Sequence, residues 1–236
     1  MRKVVLLAVL ALPIVLLLTL PVSLIAPRLD LPDGVGQLRG TLWAGSARLQ
    51  QPGQVPLNLE WRWRGGRYWA WQAGDDRTRL EGRWRPSGDL VLEEVSGQID
   101  LERVDLGYWL AATRPTGYLA VDLAEARLGG GRAPYLVGAM VWEQARLEGS
   151  VHERLGRIGL EFEPQPDRLV ARINSLEPAP IQVRGQIEAD AERYQLDLWL
   201  RASPDRPDLG REIGVLGERQ PDGQVRLRLS GALGAF

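Results

Sequence analysis

Leu57-Asn-Leu-Glu-Trp-Arg-Trp-Arg64 sets Leu57, Leu59, Trp61 and Trp63 against Asn58, Glu60, Arg62 and Arg64. Period-two alternation sends successive side chains to opposite faces of an extended chain, so this stretch reads as an antiparallel strand with one greasy and one charged face. Gly65-Gly66 supplies a hairpin turn, and Tyr68–Ala73 returns with Trp69, Trp71 and Ala73 on one parity. The two strands together stack four tryptophans, and core packing or a subunit interface is the reading for Trp61, Trp63, Trp69 and Trp71. The fold class that follows is mainly β.

Downstream the same grammar continues. Gly74-Asp75-Asp76 turns the chain into strands at Leu80–Arg85 and, past Pro86-Ser-Gly88, at Leu90–Val95. There Glu93-Glu94 breaks the apolar parity and predicts a bulge. Ile99 and Leu101 alternate with Asp100 and Glu102, so these acids, with Asp105, read as a wet face and its exit. Val104–Ala112 changes spacing and predicts a short helix. Tyr118–Leu123 is again a strand. Gly129-Gly130-Gly131 reads as a loop, since Arg132-Ala-Pro134 follows where a phosphate cradle needs Gly-Lys-Ser/Thr opening a helix. Later strands fall at Ile158–Phe162, Leu169–Ile173, Ile181–Ala189, Tyr194–Leu200 and Val225–Leu229, with Ala191-Glu-Arg193 as a hairpin loop, Leu209–Leu216 as a helical turn and Pro221-Asp-Gly223 as a turn.

Upstream lies Leu38-Arg-Gly-Thr-Leu-Trp-Ala-Gly-Ser-Ala-Arg-Leu49. Its apolar residues change parity, which predicts a single strand bulged at Gly45, with Trp43 plugging the core. Gly138–Leu147 repeats the Gly and the Ala-Arg-Leu of this stretch at an offset of 98, which suggests two related halves, 38–137 and 138–236.

Val4–Ala26 is 23 residues without a charge. As a helix it reaches roughly 34 Å, enough for a bilayer core, and Pro13 and Pro21 inside it predict kinks. Arg2 and Lys3 precede it, whereas Arg28 and Asp30 cancel after it, so the positive-inside rule puts residues 1–3 in the cytoplasm and the bulk of the chain beyond the membrane. A cleaved signal peptide has a shorter apolar core and a small-x-small exit, which Leu24-Ile25-Ala26 lacks. The expected organisation is residues 1–3 cytoplasmic, 4–26 a transmembrane anchor, 27–36 a linker rich in proline and glycine, and 37–236 a β-domain.

Composition narrows the chemistry. With 29 basic and 30 acidic residues the net charge is −1, so nothing draws the chain to nucleic acid. The absence of cysteine excludes disulfides, thiolate metal sites and a thiol nucleophile. His152 is the single histidine, which excludes two-histidine metal sites within one chain. No serine sits in a Gly-x-Ser-x-Gly turn, and Ser150 beside His152 is too little for a dyad. No catalytic, metal or cofactor site is expected, and the chain reads as a non-enzyme.

The N-terminal run, the Leu38-Arg-Gly-Thr-Leu-Trp-Ala-Gly-Ser-Ala47 segment close behind it, and the C-terminal Pro221-Asp-Gly-Gln-Val-Arg-Leu-Arg-Leu-Ser-Gly-Ala-Leu233 together resemble the type II secretion system protein N family of bacteria. Gly40, Thr41, Leu42, Trp43, Gly45 and Ala47 are the motif positions and read as structural. The resemblance implies an accessory component of the secretion machinery, single-pass in the inner membrane of a Gram-negative cell, with a periplasmic β-domain, other inner-membrane secretion components as partners and no enzymatic activity. The glycine-punctuated sheet also resembles the twisted, curved sheets, open barrels included, of AsmA-like and lipopolysaccharide-bridge proteins. That resemblance implies a second function, an apolar groove that binds or transfers lipid. A peptidoglycan- or polysaccharide-binding module is the third, with tryptophans as platforms.

Overall fold

The computed structural model describes residues 21–22, 34–50, 56–86, 90–104, 113–129, 131–165 and 167–232. The strands are β1 (Val35–Gly40), β2 (Ala44–Leu49), β3 (Leu57–Gly65), β4 (Tyr68–Gly74), β5 (Arg79–Pro86), β6 (Leu90–Asp100) and β7 (Thr113–Leu128). They continue as β8 (Tyr135–Gly149), β9 (Glu153–Pro164), β10 (Leu169–Ser175), β11 (Ile181–Ala189), β12 (Arg193–Ala202), β13 (Glu218–Arg219) and β14 (Val225–Ala232). All 14 lie in one antiparallel sheet in sequence order, except that β14 sits between β12 and the two-residue β13. β1 and β13 end the sheet at opposite sides, so it is not closed into a barrel.

Register explains why this sequence makes one sheet. A single cross-strand row runs Ala47, Leu59, Ala73, Leu80, Gly97, Val121, Met140, Leu160, Ile173, Gly185, Leu198, Leu227 from β2 to β14 without a polar side chain. The next row, on the other face, runs Ser46, Glu60, Gln72, Glu81, Ser96, Asp122, Ala139, Glu161, Arg172, Gln186, Asp197, Arg228. Slipping any strand by one residue would place polar groups in the apolar row, so burial of that face fixes the register. Where parity breaks, the backbone compensates. Glu94 at φ 53° bulges β6 as the Glu93-Glu94 pair predicts, and Gln144 at φ 52° does the same in β8.

The apolar face is packed in two places. One cluster joins Val95, Val121, Leu123 and Ala126 on β6 and β7. A larger one spans β8 to β14 and is closed by a helical turn, α1 (Leu209–Glu212), continued as a 3-10 turn over Ile213–Val215. Leu209 and Ile213, 1% and 0% exposed, press onto Ile181, Leu200 and Val225. This is the helical turn expected at Leu209–Leu216.

Several sequence expectations change in detail. Leu38–Leu49 is not one bulged strand: Thr41–Trp43 is the loop of a hairpin between β1 and β2, which pair as Gly40↔Gly45 and Arg39↔Ser46. Gly40 turns at φ 89°, and the Thr41 hydroxyl oxygen accepts from the amides of Trp43 and Ala44. Gly138–Leu147 instead lies within the continuous β8. The β3–β4 turn is Gly66-Arg67, one place on, because Gly65 pairs with Tyr68 across a register shift. Asp100 is buried, not wet, at 2% exposure. The helix expected at Val104–Ala112 lies outside the described residues except for Val104, preceded by a 3-10 turn at Leu101–Arg103. The Val4–Ala26 span also lies outside them except for Pro21 and Val22; no helix among the described residues is long and apolar enough to cross a membrane.

Candidate functional site

The alternation that makes the sheet also leaves a groove on its apolar face. Leu119 on β7, Trp142 on β8, Leu160 on β9, Ile187 on β11, Leu196 on β12 and Leu229 on β14 are among the side chains around a cavity of about 310 Å³ whose lining residues are all apolar. Leu101 and Leu216, from the two 3-10 regions, reach it from one end. The Trp142 indole nitrogen donates to the Thr116 carbonyl at 2.9 Å, so its only polar atom is satisfied within the sheet. At Gly185, mid-row, a β-carbon would collide with the Asp197 carbonyl oxygen, so the missing side chain lets β11 and β12 pass closely there. Leu160, Ile187, Leu196 and Leu198 are only half-buried. With no titratable group in its lining, the groove can bind apolar matter and can do no acid–base or nucleophilic chemistry.

At the other end of the sheet the tryptophans gather around the Thr41–Trp43 loop. The Trp61 and Trp69 indoles donate to the Thr41 and Leu42 carbonyls at 3.2 and 3.1 Å. Trp43 lies 6.1 Å from Trp69 in a stacked pair and 5.3 Å from Trp63 edge-on, and Trp69 lies 5.5 Å from Trp84. The motif segment 40–47 is therefore clamped by tryptophans from β3 and β4. Ala47 is 4% exposed and Trp69 is buried, Trp43, Trp61 and Trp71 are half-buried, and Trp63 is 41% exposed. Gly45 is fixed by space rather than by φ: a β-carbon there would collide with the Trp61 ring and the Arg39 carbonyl oxygen.

Three sets of charged groups away from the groove are candidates for chemistry. Asp197, 8% exposed on the polar face of β12, accepts from Arg226 Nε at 2.8 Å and from Arg226 Nη2, with Arg228 Nε at 3.9 Å. Arg226 also stacks over Trp199, its guanidinium carbon 4.8 Å from the ring centroid. The Arg226 hydrogen bond holds the Asp197 carboxyl below the usual carboxylate range, against the opposing effect of burial. The second set is at the β4–β5 turn, where Asp75 Oδ1 accepts from the amides of Arg77 and Thr78 at 2.8 Å and Oδ2 meets Arg103. Asp100 beside it accepts from the Glu102 amide at 3.0 Å and has Arg77 at 3.7 Å. These bonds cap turns, which accounts for the acids. The third is a cavity of about 600 Å³ on the polar face of β2–β6, edged by Glu60, Arg62, Gln72, Glu81, Arg83 and Glu94. His152 is exposed in the β8–β9 turn. Among the described residues no three acids or histidines converge to hold a metal. The groove was legible in principle from the apolar parity of the later strands, but only the register lines those residues up.

The family model for type II secretion system (T2SS), protein N matches residues 34–228, which takes in the motif hairpin, both packed clusters and all of the groove lining but Leu229. The chain belongs to the type II secretion system protein N family. The chain is also 29% identical over 233 residues to the type II secretion system protein N of Aeromonas hydrophila, a match covering 91% of this chain and 90% of the relative. No solved structure matches it. Membership assigns the chain to type II secretion as an accessory component.

Proposed function

We propose that this protein acts as an inner-membrane accessory component of type II secretion, held by one span over Val4–Ala26 with its sheet in the periplasm, and that it supports assembly of the machinery or export of folded proteins. The family match across residues 34–228 carries the reading. The charge-free run behind Arg2 and Lys3 supports the anchor and its orientation. The apolar groove and the stacked aromatics of the described surface suit association. Deleting the gene is expected to impair release of folded periplasmic substrates, and the tagged protein is expected to co-purify with the inner-membrane platform; intact secretion together with no co-purification overturns the proposal. Intact-mass measurement tests the anchor separately, since loss of the first 26 residues would mean a cleaved leader.

A second reading is favoured by one observation, the groove of about 310 Å³ with a wholly apolar lining. A volume at the low end of small-ligand pockets suits part of an acyl chain. In this reading the sheet binds or transfers envelope lipid. Mass spectrometry on detergent-free protein is expected to find acyl chains that a Leu196→Asp variant lacks, whereas empty wild-type protein counts against it.

A further inference from the structure

The β3–β4 hairpin ends differently from a tip built for water. Its turn, Gly66-Arg67, is flanked by Trp63 and Tyr68, 41% and 37% exposed. Register puts Trp63 on the apolar face with Trp69, and Tyr68, next to Trp69, on the opposite face, so the tip shows an aromatic ring on both sides. Arg62, Arg64 and Arg67 neighbour these rings along the chain, all exposed, and none forms an ion pair among the described residues. Elsewhere in the sheet Arg83, Arg85, Arg157 and Arg172 each sit beside a glutamate. Leu90 and Leu128, facing each other across β6 and β7, add two exposed leucines to the same rim of the sheet.

A second, independent observation concerns the end of the charge-free run. Pro21 forms an antiparallel bridge with Thr41, and Val22 is 6% exposed. Thr41 opens the loop that touches the hairpin tip directly, through the bond from the Trp63 amide to the Trp43 carbonyl at 2.6 Å. The chain thus pins Pro21, in the C-terminal part of its apolar run, to the rim that carries Trp63, Tyr68 and the arginines.

We infer that the β3–β4 tip docks into the headgroup layer of an anionic bilayer, with Trp63 and Tyr68 in the interface, Arg62 and Arg64 against lipid phosphates and position 67 at the tip between them, so that the sheet stands on the membrane by this rim. Tryptophan and tyrosine favour the membrane–water boundary because each has an apolar body and a polar tip. Arginine gains there from a negative surface and reaches phosphate with a bidentate fork. The inference rests on the anchor proposed above, which supplies the nearby bilayer.

The chain lacks cysteine, so a single introduced thiol reports one place. The full chain carrying Arg67→Cys, or Asp205→Cys in the loop after β12 on the opposite rim, is labelled with a polarity-sensitive fluorophore. Each is placed in nanodiscs of phosphatidylcholine with or without phosphatidylglycerol. Position 67 is expected to shift to the blue and lose iodide quenching in the anionic discs, position 205 to do neither, and Arg62→Gln/Arg64→Gln to abolish the difference between the two lipids. Flotation of carbonate-washed vesicles reports the anchor by itself. Protein that floats while position 67 stays wet overturns the docking and leaves the anchor standing; protein that does not float overturns both. Equal shielding in the two lipids overturns the assignment to anionic headgroups.

Discussion

Gly45 and Gly82 both lie under tryptophan rings, and their difference is a test of how tightly the motif hairpin is built. A β-carbon at Gly45 meets backbone and ring atoms at once, while one at Gly82 stops 3.1 Å from the Glu93 carbonyl oxygen and 3.2 Å from the Trp71 ring. Gly45→Ala is therefore expected to lower stability by about 1–3 kcal/mol, as overpacking does, and Gly82→Ala by clearly less, read from thermal unfolding. Trp43 is half-buried against two rings, so Trp43→Ala is expected to cost about 2–3 kcal/mol, below the range for a fully buried tryptophan. Failed secretion with unchanged unfolding would instead make Trp43 a partner contact. Asp197 gives a pH-dependent case. Its folded pKa lies below the unfolded value near 3.9, so folding favours the ionised form. The stabilisation is complete above the unfolded pKa and is lost as pH falls through the folded one. Asp197→Asn is expected to cost about 1–3 kcal/mol at pH 7, by replacing the carboxylate that takes both Arg226 hydrogen bonds with a neutral amide that has one accepting oxygen, and markedly less at pH 2.

Among the elements, β14 has an open edge near the C-terminal end of the sheet, as β1 does at the other side. β13 covers only Val225 and Arg226, and from Leu227 to Ala232 its outer edge has no described partner. Alternate amides over that stretch are expected to exchange rapidly while those aimed at β12 are protected; uniform protection would mean that another strand pairs there. Most elements were legible in the sequence because period two and its turns are local signals. The Leu57–Gly65 and Tyr68–Gly74 strands, the Glu93-Glu94 bulge and the helical turn at Leu209 follow from neighbours within a few residues. The first hairpin was not, because a parity change signals a bulge and a tight loop alike, and only the Thr41 hydroxyl bonding decides for the loop. Burial of Asp100 was equally hidden, since its cover comes from Thr78, whose hydroxyl oxygen accepts from the Asp100 amide across β5 and β6. The groove needs seven or so strands in register before it exists.

On the scale of the molecule, stability is unevenly distributed. The largest fully enclosed apolar side chains, Ile181, Leu209, Ile213, Val151 and Val225, all belong to the C-terminal cluster, whereas of the tryptophans on which β1–β5 rest only Trp69 is buried. Native-state hydrogen exchange is expected to show β1–β5 opening at lower free energy than β9–β14, in more than one cooperative unit; a single uniform opening would contradict this. The sheet is a one-dimensional stack in which each strand from β2 to β12 joins the one just made. A chain delivered N-terminus first, from a ribosome or through a membrane pore, can therefore zip its pairs as they emerge, never waiting for a distant partner. The exception comes last: β13 is made before β14 yet lies beyond it, so the chain must hold Glu218 and Arg219 aside until β14 slides in alongside β12. The final strand to arrive is the one that locks the seam.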